Sequence, residues 1–436
     1  MMHGLAKAPM STKRAGFMLG LMTLIYVLNY IDRQIITILQ EPIKHEFGLA
    51  DWQLGVLTGA AISLFYTAAS LPIARWIDRG VNRVKLIASI TALWSLLTAL
   101  CGLSQSFIQF VIGRMGVGVA EAGFAPAAHS LLSDMFPERR RPMAMALLAL
   151  GIPSGIMLGL SIGGTVAQWY NWRVALFIVG LPGLLVALIY YLVAREPERG
   201  ASEHYPIATA DGPEGLIAAM KILVRRPAYV QVLLATGTSA LVSTGMLAWT
   251  PSFLIRAHGL TLQEAGIGLG IVTGIAGLLG TSLGGWQATK FGAKGMYAML
   301  PIPIVALGLT IPTFITTLFI ADGTTALWVS IIPISMTYVW SAPSIALVQN
   351  LAPVRIRATA SAIYMIIANV VGMAAGPMFT GILSDILTRR LGSEAEGLRW
   401  AMTITAALMV WAMVHWTLAM RKLRAAQDRG ELVVAA

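Results

Sequence analysis

Four ionisable side chains lie within apolar stretches that are long enough to cross a lipid bilayer. Asp32 and Arg33 are the only charges between Ala15 and Leu39, and Arg114 and Glu121 interrupt a later apolar stretch at 106–132. An ionisable residue at bilayer depth costs about 2.5–3.5 kcal/mol, so it is kept where it faces a wet cavity or a partner inside a bundle. Two acids and two bases at this depth indicate a gated path for protons or for a polar ligand.

The spacing of these residues restricts how they can pair. Asp32 and Arg33 are adjacent, so they point about 100° apart on a helix and cannot form one tight pair. Arg114 and Glu121 are two helical turns apart and share a face. A nearby arginine favours the ionised form of a carboxylate, and burial disfavours it. A change in the access of water can therefore switch the carboxylate between its ionised and protonated forms. We expect Asp32 and Glu121 to exchange a proton, Arg114 to hold one carboxylate ionised, and Arg33 or Arg114 to bind an anionic headgroup. The alternative is a permanently paired cluster that fixes helix register.

The composition indicates a membrane protein with many spans. Hydrophobic residues make up 57% of the 436 residues and charged residues 12%, whereas a soluble domain has about 25% charged residues. Apolar stretches of about 20 residues predict an all-α protein with one transmembrane helix for each stretch. The twelve predicted spans are 15–38, 53–74, 83–104, 106–132, 142–166, 173–194, 227–252, 263–288, 295–319, 326–348, 357–384 and 398–420.

The basic residues predict how these spans are oriented. If both termini are cytoplasmic, the cytoplasmic segments hold 23 of the 31 Lys and Arg residues, as the positive-inside rule requires. We therefore expect a plasma-membrane protein, in the inner membrane of a bacterium, whose start MMHGLAKAPMSTKR is a retained cytoplasmic tail rather than a signal peptide. The net charge of +11 then reflects topology and attraction to membrane lipids. Nucleic-acid binding is disfavoured, because the basic residues are spread over separate short segments.

A long polar stretch divides the spans into two sets of six. It predicts an N-terminal bundle at 1–194, a cytoplasmic linker at 195–226 and a C-terminal bundle at 227–436. The halves also echo each other: MFPERRRPMAMA after span 4 aligns with LAPVRIRATASA after span 10, and ARWIDRGVNR after span 2 with GWQATKFGAK after span 8. Internal repeats of this kind are typical of secondary transporters, whose substrate site lies at the repeat interface.

Glycines recur at helical spacing in spans 5 and 8. Small residues at this spacing let two backbones approach closely in lipid. We predict that spans 5 and 8 form a surface on which one half slides against the other, with ordinary static packing as the alternative. The glycines are Gly151, Gly155, Gly159 and Gly163 in span 5, and Gly266, Gly270, Gly274, Gly277, Gly280 and Gly284 in span 8.

These motifs resemble those of a known family. ARWIDRGVNR resembles the loop 2–3 signature of the major facilitator superfamily, and GWQATKFGAK resembles its second copy, with Thr289 in place of the acid. NYIDR at 29–33, GRMGVGVAEAGF at 113–124 and REPERG at 195–200 resemble the spinster group of that superfamily, over most of the N-terminal half. The anion–cation symporter group shares a similar Asp-Arg in span 1 and Glu-Ala-Gly in span 4.

The resemblance implies two pseudo-symmetric six-helix bundles that transport by alternating access. Its implied substrates are sphingolipids, lysophospholipids or related amphiphiles, with protons as the coupling ion, and its implied roles for the four intramembrane charges agree with those above. It also implies that Asp78 and Arg79 form a cytoplasmic latch with Arg355 and Arg357 in the outward-facing state. We predict a proton-coupled carrier of amphipathic lipids, and a proton-coupled carrier of small organic anions is the alternative.

Aromatic and polar side chains near the middle of the spans are candidates to line the substrate cavity. Aromatic residues inside spans are more often packing residues or interfacial anchors, so each is a hypothesis. The candidates are Tyr26, Asn29, Phe65, Thr238, Tyr338, Trp340, Tyr364 and Asn369, with His129 a weaker one.

The sequence gives no indication of an enzyme, a cofactor or a metal. Cys101 is the only cysteine, there is no HExxH motif and the histidines are scattered, which disfavours disulfides, thiolate clusters and zinc hydrolases. A phosphate-binding P-loop is also absent, so ATP-driven pumping is unsupported. We expect a monomeric transporter. A channel or scramblase, which would show flux without a proton gradient, and a lipid-sensing receptor, which would bind without flux, are the other classes left open.

Overall fold

A computed structural model describes residues 12–199, 216–353 and 356–430 of the chain. The predicted N-terminal tail, much of the predicted linker and Arg355 lie outside the described residues. Within the described residues, twelve helices are long and apolar enough to cross a membrane, which confirms the all-α, twelve-span prediction. We name these spans α1 (Lys13–Phe47), α2 (Asp51–Asp78), α3 (Arg83–Cys101), α4 (Phe107–Met135), α5 (Arg141–Trp169), α6 (Trp172–Val193), α7 (Pro227–His258), α8 (Leu262–Gly292), α9 (Met296–Phe319), α10 (Gly323–Leu351), α11 (Thr359–Leu391) and α12 (Glu394–Asp428).

The ends of the spans follow from local capping chemistry. The Asn82 side chain accepts a hydrogen bond from the Lys85 amide at the start of α3, and Thr261 and Glu264 form a capping box at the start of α8. Gly259 ends α7 with a φ of +66°, a left-handed conformation that favours glycine. These signals extend the helices beyond the apolar stretches, which is why most spans are longer than hydrophobicity alone predicts. A short helix, Leu216–Val224, precedes α7 within the predicted linker.

The regular α-helical pattern of several spans is interrupted within their length. Wide π-helical turns occupy Val56–Ala60 in α2 and Ala368–Ala374 in α11, and these two turns contact each other. The regular part of α4 ends at Glu121 and resumes at Phe124. Turns of this kind are frequent at functional sites, because they free backbone groups and redirect side chains.

Helix contacts in the first six spans recur in the last six. Contacts join α1 to α5 and α6, α2 to α4, and α3 to α4 and α6; the same pairs, six spans later, are α7 with α11 and α12, α8 with α10, and α9 with α10 and α12. This recurrence supports the duplication inferred from the loop motifs. The two halves meet through α5 with α8 and α2 with α11, which are again equivalent pairs.

The contacts between the halves are concentrated on one side of the protein. Because the number of spans is even, α1 begins and α12 ends on the same side, which we call the terminus face. The other side, where α1 leads into α2, we call the far face. A Cβ atom added at Gly164 in α5 would lie 2.3 Å from the Leu262 carbonyl oxygen of α8, so these backbones touch directly. The structure is thus closed at the far face.

The glycine stripe of α5 packs differently from the prediction. A Cβ atom at Gly155 would lie 2.5 Å from Cβ of Tyr30, and one at Gly159 would lie 2.9 Å from the Ile31 carbonyl oxygen. This stripe therefore packs against α1 within its own half, and Gly164 is the α5 glycine that meets α8. The spacing identified a close helix contact correctly, but spacing alone cannot specify which neighbour makes it.

The REPERG motif ties the end of α6 to the loop between α2 and α3. Glu196 accepts hydrogen bonds from Nε of Arg83 (2.7 Å) and from the Val84 amide (2.9 Å). Nη2 of Arg199 donates to the carbonyl oxygens of Ile77 and Val81. The motif therefore caps α3 and holds the loop in place at the terminus face.

Gly155 provides a test of the close α1–α5 contact. Gly155→Ala should lower the free energy of unfolding by about 1–3 kcal/mol, the usual cost of overpacking, since the added methyl group meets Tyr30 and the Val27 carbonyl oxygen. Gly20→Ala in α1 is the control, because a Cβ atom there has nothing within 4 Å. Thermal unfolding of the purified protein would measure both. An equal midpoint for the two variants would contradict the contact.

Candidate functional site

Asp32 and Arg114 form a buried ion pair within the first half. Nη1 of Arg114 lies 2.8 Å from Oδ1 of Asp32, and the Thr98 hydroxyl donates to Oδ2. Asp32 is 2% exposed and Arg114 is 0% exposed. The pair therefore joins α1, α3 and α4 in a region with almost no access to solvent.

Arg33 and Glu121 form a second ion pair between α1 and α4. Nε of Arg33 lies 2.6 Å from Oε2 of Glu121. The guanidinium carbon of Arg33 lies 4.6 Å from the ring centroid of Tyr66 and 5.5 Å from that of Tyr30, a cation–π arrangement. Oε1 of Glu121 is buried and has no hydrogen-bond partner among the described residues. This pair retains an open acceptor, whereas both oxygens of Asp32 are occupied.

A cavity lies between the two halves at the level of these pairs. Four spans line it, two from each half: α1, α2, α7 and α11. The π-helical turns of α2 and α11 border it and contribute Thr58 and Met373 to its wall. The lining residues are Tyr30, Arg33, Gln34, Thr37, Thr58, Ile62, Ser63, Thr244, Leu247, Ala248, Met373 and Pro377.

One helical step separates the two ion pairs. Arg33 lines the cavity, whereas Asp32 faces α3 and α4 with Asn29, which is 2% exposed. A step of about 100° per residue produces this separation. The structure brings all four intramembrane charges to the α1–α4 interface, but it brings only Arg33 to the cavity wall directly, with Glu121 immediately behind it.

The cavity candidates predicted in the first half lie elsewhere. Tyr26 packs against Tyr30, with ring centroids 5.2 Å apart. Asn29 is buried and its Nδ2 atom has no hydrogen-bond partner among the described residues. Phe65 is 37% exposed, and His129 is exposed as well. None of these side chains is among the cavity-lining residues, so their contact with substrate stays a prediction.

The candidates in the second half are also outside the cavity lining. The Tyr364 hydroxyl is 2.9 Å from that of Ser344, Trp340 is buried, and the Thr238 hydroxyl donates to a carbonyl oxygen of its own helix. Tyr338 and Asn369 are partly buried. Their roles in binding likewise stay predictions.

Sequence reasoning missed most of the polar cavity wall, although a signal was present. Tyr30, Arg33, Gln34 and Thr37 follow the spacing i, i+3, i+4 and i+7, which places them on one face of a helix. The hydrogen bond from Thr98 to Asp32 could not be predicted in this way, because Thr98 lies in another span, 66 residues away.

The predicted latch residues are exposed at the terminus face. Asp78 and Arg79 end α2, and Arg357 precedes α11. No ion pair joins Asp78 to Arg357 among the described residues, and Arg355 lies outside them. The latch is predicted for a state in which the terminus face is closed, and the latch itself stays a prediction.

A second charged cluster, which the sequence analysis did not identify, lies at the far face. Arg256 of α7 donates to Asp51 of α2 through two nitrogens at 2.8 Å each and to Glu41 of α1 at 2.9 Å. Lys44 bridges Asp51 and Glu394 of α12. These ion pairs connect the two halves where they are in contact.

Comparison with known proteins places the chain among transporters. The model of the Major Facilitator Superfamily matches residues 22–377. An MFS-type efflux pump of Mycolicibacterium smegmatis is 31% identical over 93% of this chain and 92% of its own. Protein spinster homolog 1 of Homo sapiens is 27% identical over 91% of this chain and 79% of its own. A crystal structure of a bacterial homolog of the human lysosomal transporter Spinster, in an inward-facing and unoccupied conformation, has a TM-score of 0.88 at 30% identity and covers 95% of this chain and 99% of its own.

Thr98 provides a test of the buried pair. Thr98→Val should lower the free energy of unfolding by about 1–3 kcal/mol, because Oδ2 of Asp32 would lose its donor in a buried environment. Thr91→Val is a matched control on the same helix. Thr91 is 0% exposed and its hydroxyl has no partner among the described residues, so its loss should cost little. Chemical or thermal unfolding would rank the two, and a control variant as unstable as Thr98→Val would contradict the contact.

Proposed function

The chain belongs to the Major Facilitator Superfamily and resembles its spinster proteins, and on this premise we propose that it couples protons to the transport of an amphipathic lipid by alternating access. The substrate class that we propose is of the sphingolipid or lysophospholipid type. Membership of the family makes the protein a multi-pass membrane transporter rather than an enzyme. The observation that carries the proposal is the Arg33–Glu121 pair at the wall of the cavity between the halves.

The proton and the substrate compete at this pair. With Glu121 ionised, its carboxylate holds Arg33 at 2.6 Å. Protonation of Glu121 removes that negative charge, and the guanidinium of Arg33, which stays protonated in proteins, becomes free to bind an anionic headgroup. Release of the proton restores the ion pair and displaces the headgroup. Proton movement and substrate transport are then coupled, because Arg33 binds either the Glu121 carboxylate or the anionic headgroup.

Asp32 and Arg114 form the inner part of the same pathway. Asp32 is almost fully buried, so it exchanges a proton only when α1 and α4 move enough to admit water. We place its protonation after the opening of the Arg33–Glu121 pair. A pair that never titrates and only holds α1 against α4 is the alternative, and the transport experiment below distinguishes the two.

The cavity wall supports an amphipathic substrate. Most of its polar groups, including Arg33, Gln34 and Thr37, come from α1 and α2, and its apolar groups include Leu247 of α7 and Met373 of α11. A charged end with apolar walls suits a headgroup joined to an acyl chain, and methionine adapts to flexible chains. A small organic anion would use the polar groups alone, and it is the second candidate for the substrate.

Charge distribution supports an orientation with the terminus face in the cytoplasm of the cell and the protein in the plasma membrane. The excess of basic residues in the segments on this face follows the positive-inside rule. Contact between the halves at the far face then corresponds to an inward-facing state, in agreement with the conformation named for the bacterial Spinster homolog. We propose that the protein works as a monomer within the lipid bilayer.

Conservative variants of the two acids test the proton role. In proteoliposomes with a pH-sensitive dye inside, addition of a lysophospholipid should drive proton movement by the wild-type protein. Asp32→Asn and Glu121→Gln should abolish it, because neither amide can carry a proton. Glu264→Gln is a control for protein quality, since Glu264 is an exposed capping residue at the far face.

Each other outcome of this experiment has a definite meaning. If both variants retained wild-type proton movement, the proton role would be wrong. Proton movement driven by citrate but not by lysophospholipid would favour the organic-anion carrier. Substrate flux that ignores a proton gradient would favour a channel or scramblase.

Charge reversal tests the latch at the terminus face. Asp78→Arg should reduce transport, because it places a repulsive charge opposite Arg357 when this face closes. Asp78→Arg combined with Arg357→Asp should restore part of the lost rate, whereas Arg357→Asp alone should also be impaired. Initial transport rates at equal protein density measure the effect. A double variant no better than the worse single variant would refute the pairing.

A further inference from the structure

At the far face, an acid of the second half caps a helix of the first half. Oδ1 of Asp385 in α11 accepts a hydrogen bond from the Asp51 amide, and Oδ2 accepts one from the Trp52 amide, both at 2.9 Å. These amides belong to the first turn of α2, whose own N-cap residue is Ala50. Alanine has no side-chain acceptor, so the Asp51 and Trp52 amides take theirs from the opposite half of the protein, while Oε1 of Gln53 accepts from the Ala50 amide within the same half.

The equivalent interface contains an equivalent contact. Oε1 of Gln168 in α5 accepts a hydrogen bond from the Leu262 amide in the first turn of α8, at 3.1 Å. In the duplicated architecture α5 corresponds to α11 and α8 corresponds to α2. Each half therefore supplies a cap to a helix of the other half. The two caps differ in charge: Asp385 is a carboxylate that uses both oxygens, whereas Gln168 is a neutral amide that uses one. Each helix also has a contact of its own, from Gln53 in α2 and from Thr261 and Glu264 in α8.

An arginine clamp reinforces the α2 side of this arrangement. Arg256, whose side chain is 6% exposed, spans Asp51 and Glu41. The Ser384 hydroxyl of α11 donates to Oδ2 of Asp51 at 2.6 Å. Asp51 is 1% exposed, and its carboxylate contacts Arg256 and Ser384 of the second half and Lys44 of the first half.

We propose that the far face is a gate locked by reciprocal helix capping, in which Asp385 holds α2 closed, Gln168 holds α8 closed, and Arg256 clamps the first of these contacts. The proposal rests on the alternating access in the proposed function. Opening the far face separates α2 from α11 and α5 from α8, so both caps must break. The first turn of α2 then loses the charged acceptor Asp385, whereas the first turn of α8 loses the neutral Gln168. The α2–α11 contact is therefore the stronger lock.

Distance measurements between the halves test the lock. Nitroxide labels at Gln105→Cys and Arg390→Cys, in a Cys101→Ala background, place one probe on the far face of each half. Loss of a helix cap changes an equilibrium by roughly two- to thirtyfold. Asp385→Ala should raise the ratio of molecules that show the long distance to molecules that show the short distance by this factor. Gln168→Ala should raise it less, and Asp385→Asn, which keeps one acceptor oxygen without the charge, should give an intermediate value.

Asp322→Ala is the matched control. Asp322 also lies at the far face and caps a helix, but it accepts its hydrogen bond from the Thr325 amide of α10 in its own half, at 2.7 Å. Its loss should leave the relative populations of the long and short distances unchanged. If Asp385→Ala did not fold, Asp385→Asn and Gln168→Ala would carry the test, because both preserve part of the capping.

The outcomes separate this inference from the function on which it rests. If both distances were observed but their relative populations were the same in Asp385→Ala, in Asp385→Asn and in the wild-type protein, the gate would be overturned and alternating access would remain intact. A shift of equal size in Asp322→Ala would also overturn it, since any lost cap would then have the same effect. A single distance in every variant, with and without a pH gradient, would overturn both the gate and the alternating access.

Discussion

The burial of charge at membrane depth is the constraint on which this structure depends. A bilayer offers no water to an unpaired ion, so each intramembrane charge needs its partner inside the bundle. Arg114 forms an ion pair with Asp32, and Asp32 also accepts a hydrogen bond from the Thr98 hydroxyl. Breaking a buried pair of this kind costs about 3–5 kcal/mol, because it leaves an uncompensated charge. The pair therefore holds α1, α3 and α4 together while Asp32 is ionised.

The same chemistry one residue further along α1 serves a different purpose. Arg33 turns toward the cavity, where its attraction to Glu121 depends on how much water is present. The interaction of two charges weakens severalfold as the surroundings change from protein interior to water. Both side chains of the inner pair are buried, whereas Arg33 of the outer pair lines the cavity. A single helical step thus separates an ion pair inside the first half from one at the cavity wall.

Hydropathy and charge predicted the fold well, because a bilayer imposes length and polarity on every span. They also predicted the Arg114 and Glu121 face of α4, since helical periodicity is a local property. What could not be predicted is which spans meet. The α5 stripe that includes Gly155 contacts α1 rather than α8, and Arg256 reaches Asp51 across 205 residues of sequence. Such contacts depend on packing between distant segments, for which a single sequence carries no signal.

The two halves share their packing but not their chemistry. The spans of the second half that correspond to α1 and α4 are α7 and α10, and neither has a charged residue in its central part. The proposed proton exchange in the first half can thus affect the second half only through the surfaces at which the halves touch. The cavity is bordered by the π-helical turns of α2 and α11, which also contact each other. In the proposed function, a substrate held by Arg33 would lie against α2, the helix whose Asp51 and Trp52 amides depend on Asp385 of the opposite half. A displacement of α2 toward the substrate would therefore strain the far-face contact that keeps the protein closed on that side, which provides a direct mechanical route from the ion pair to the gate.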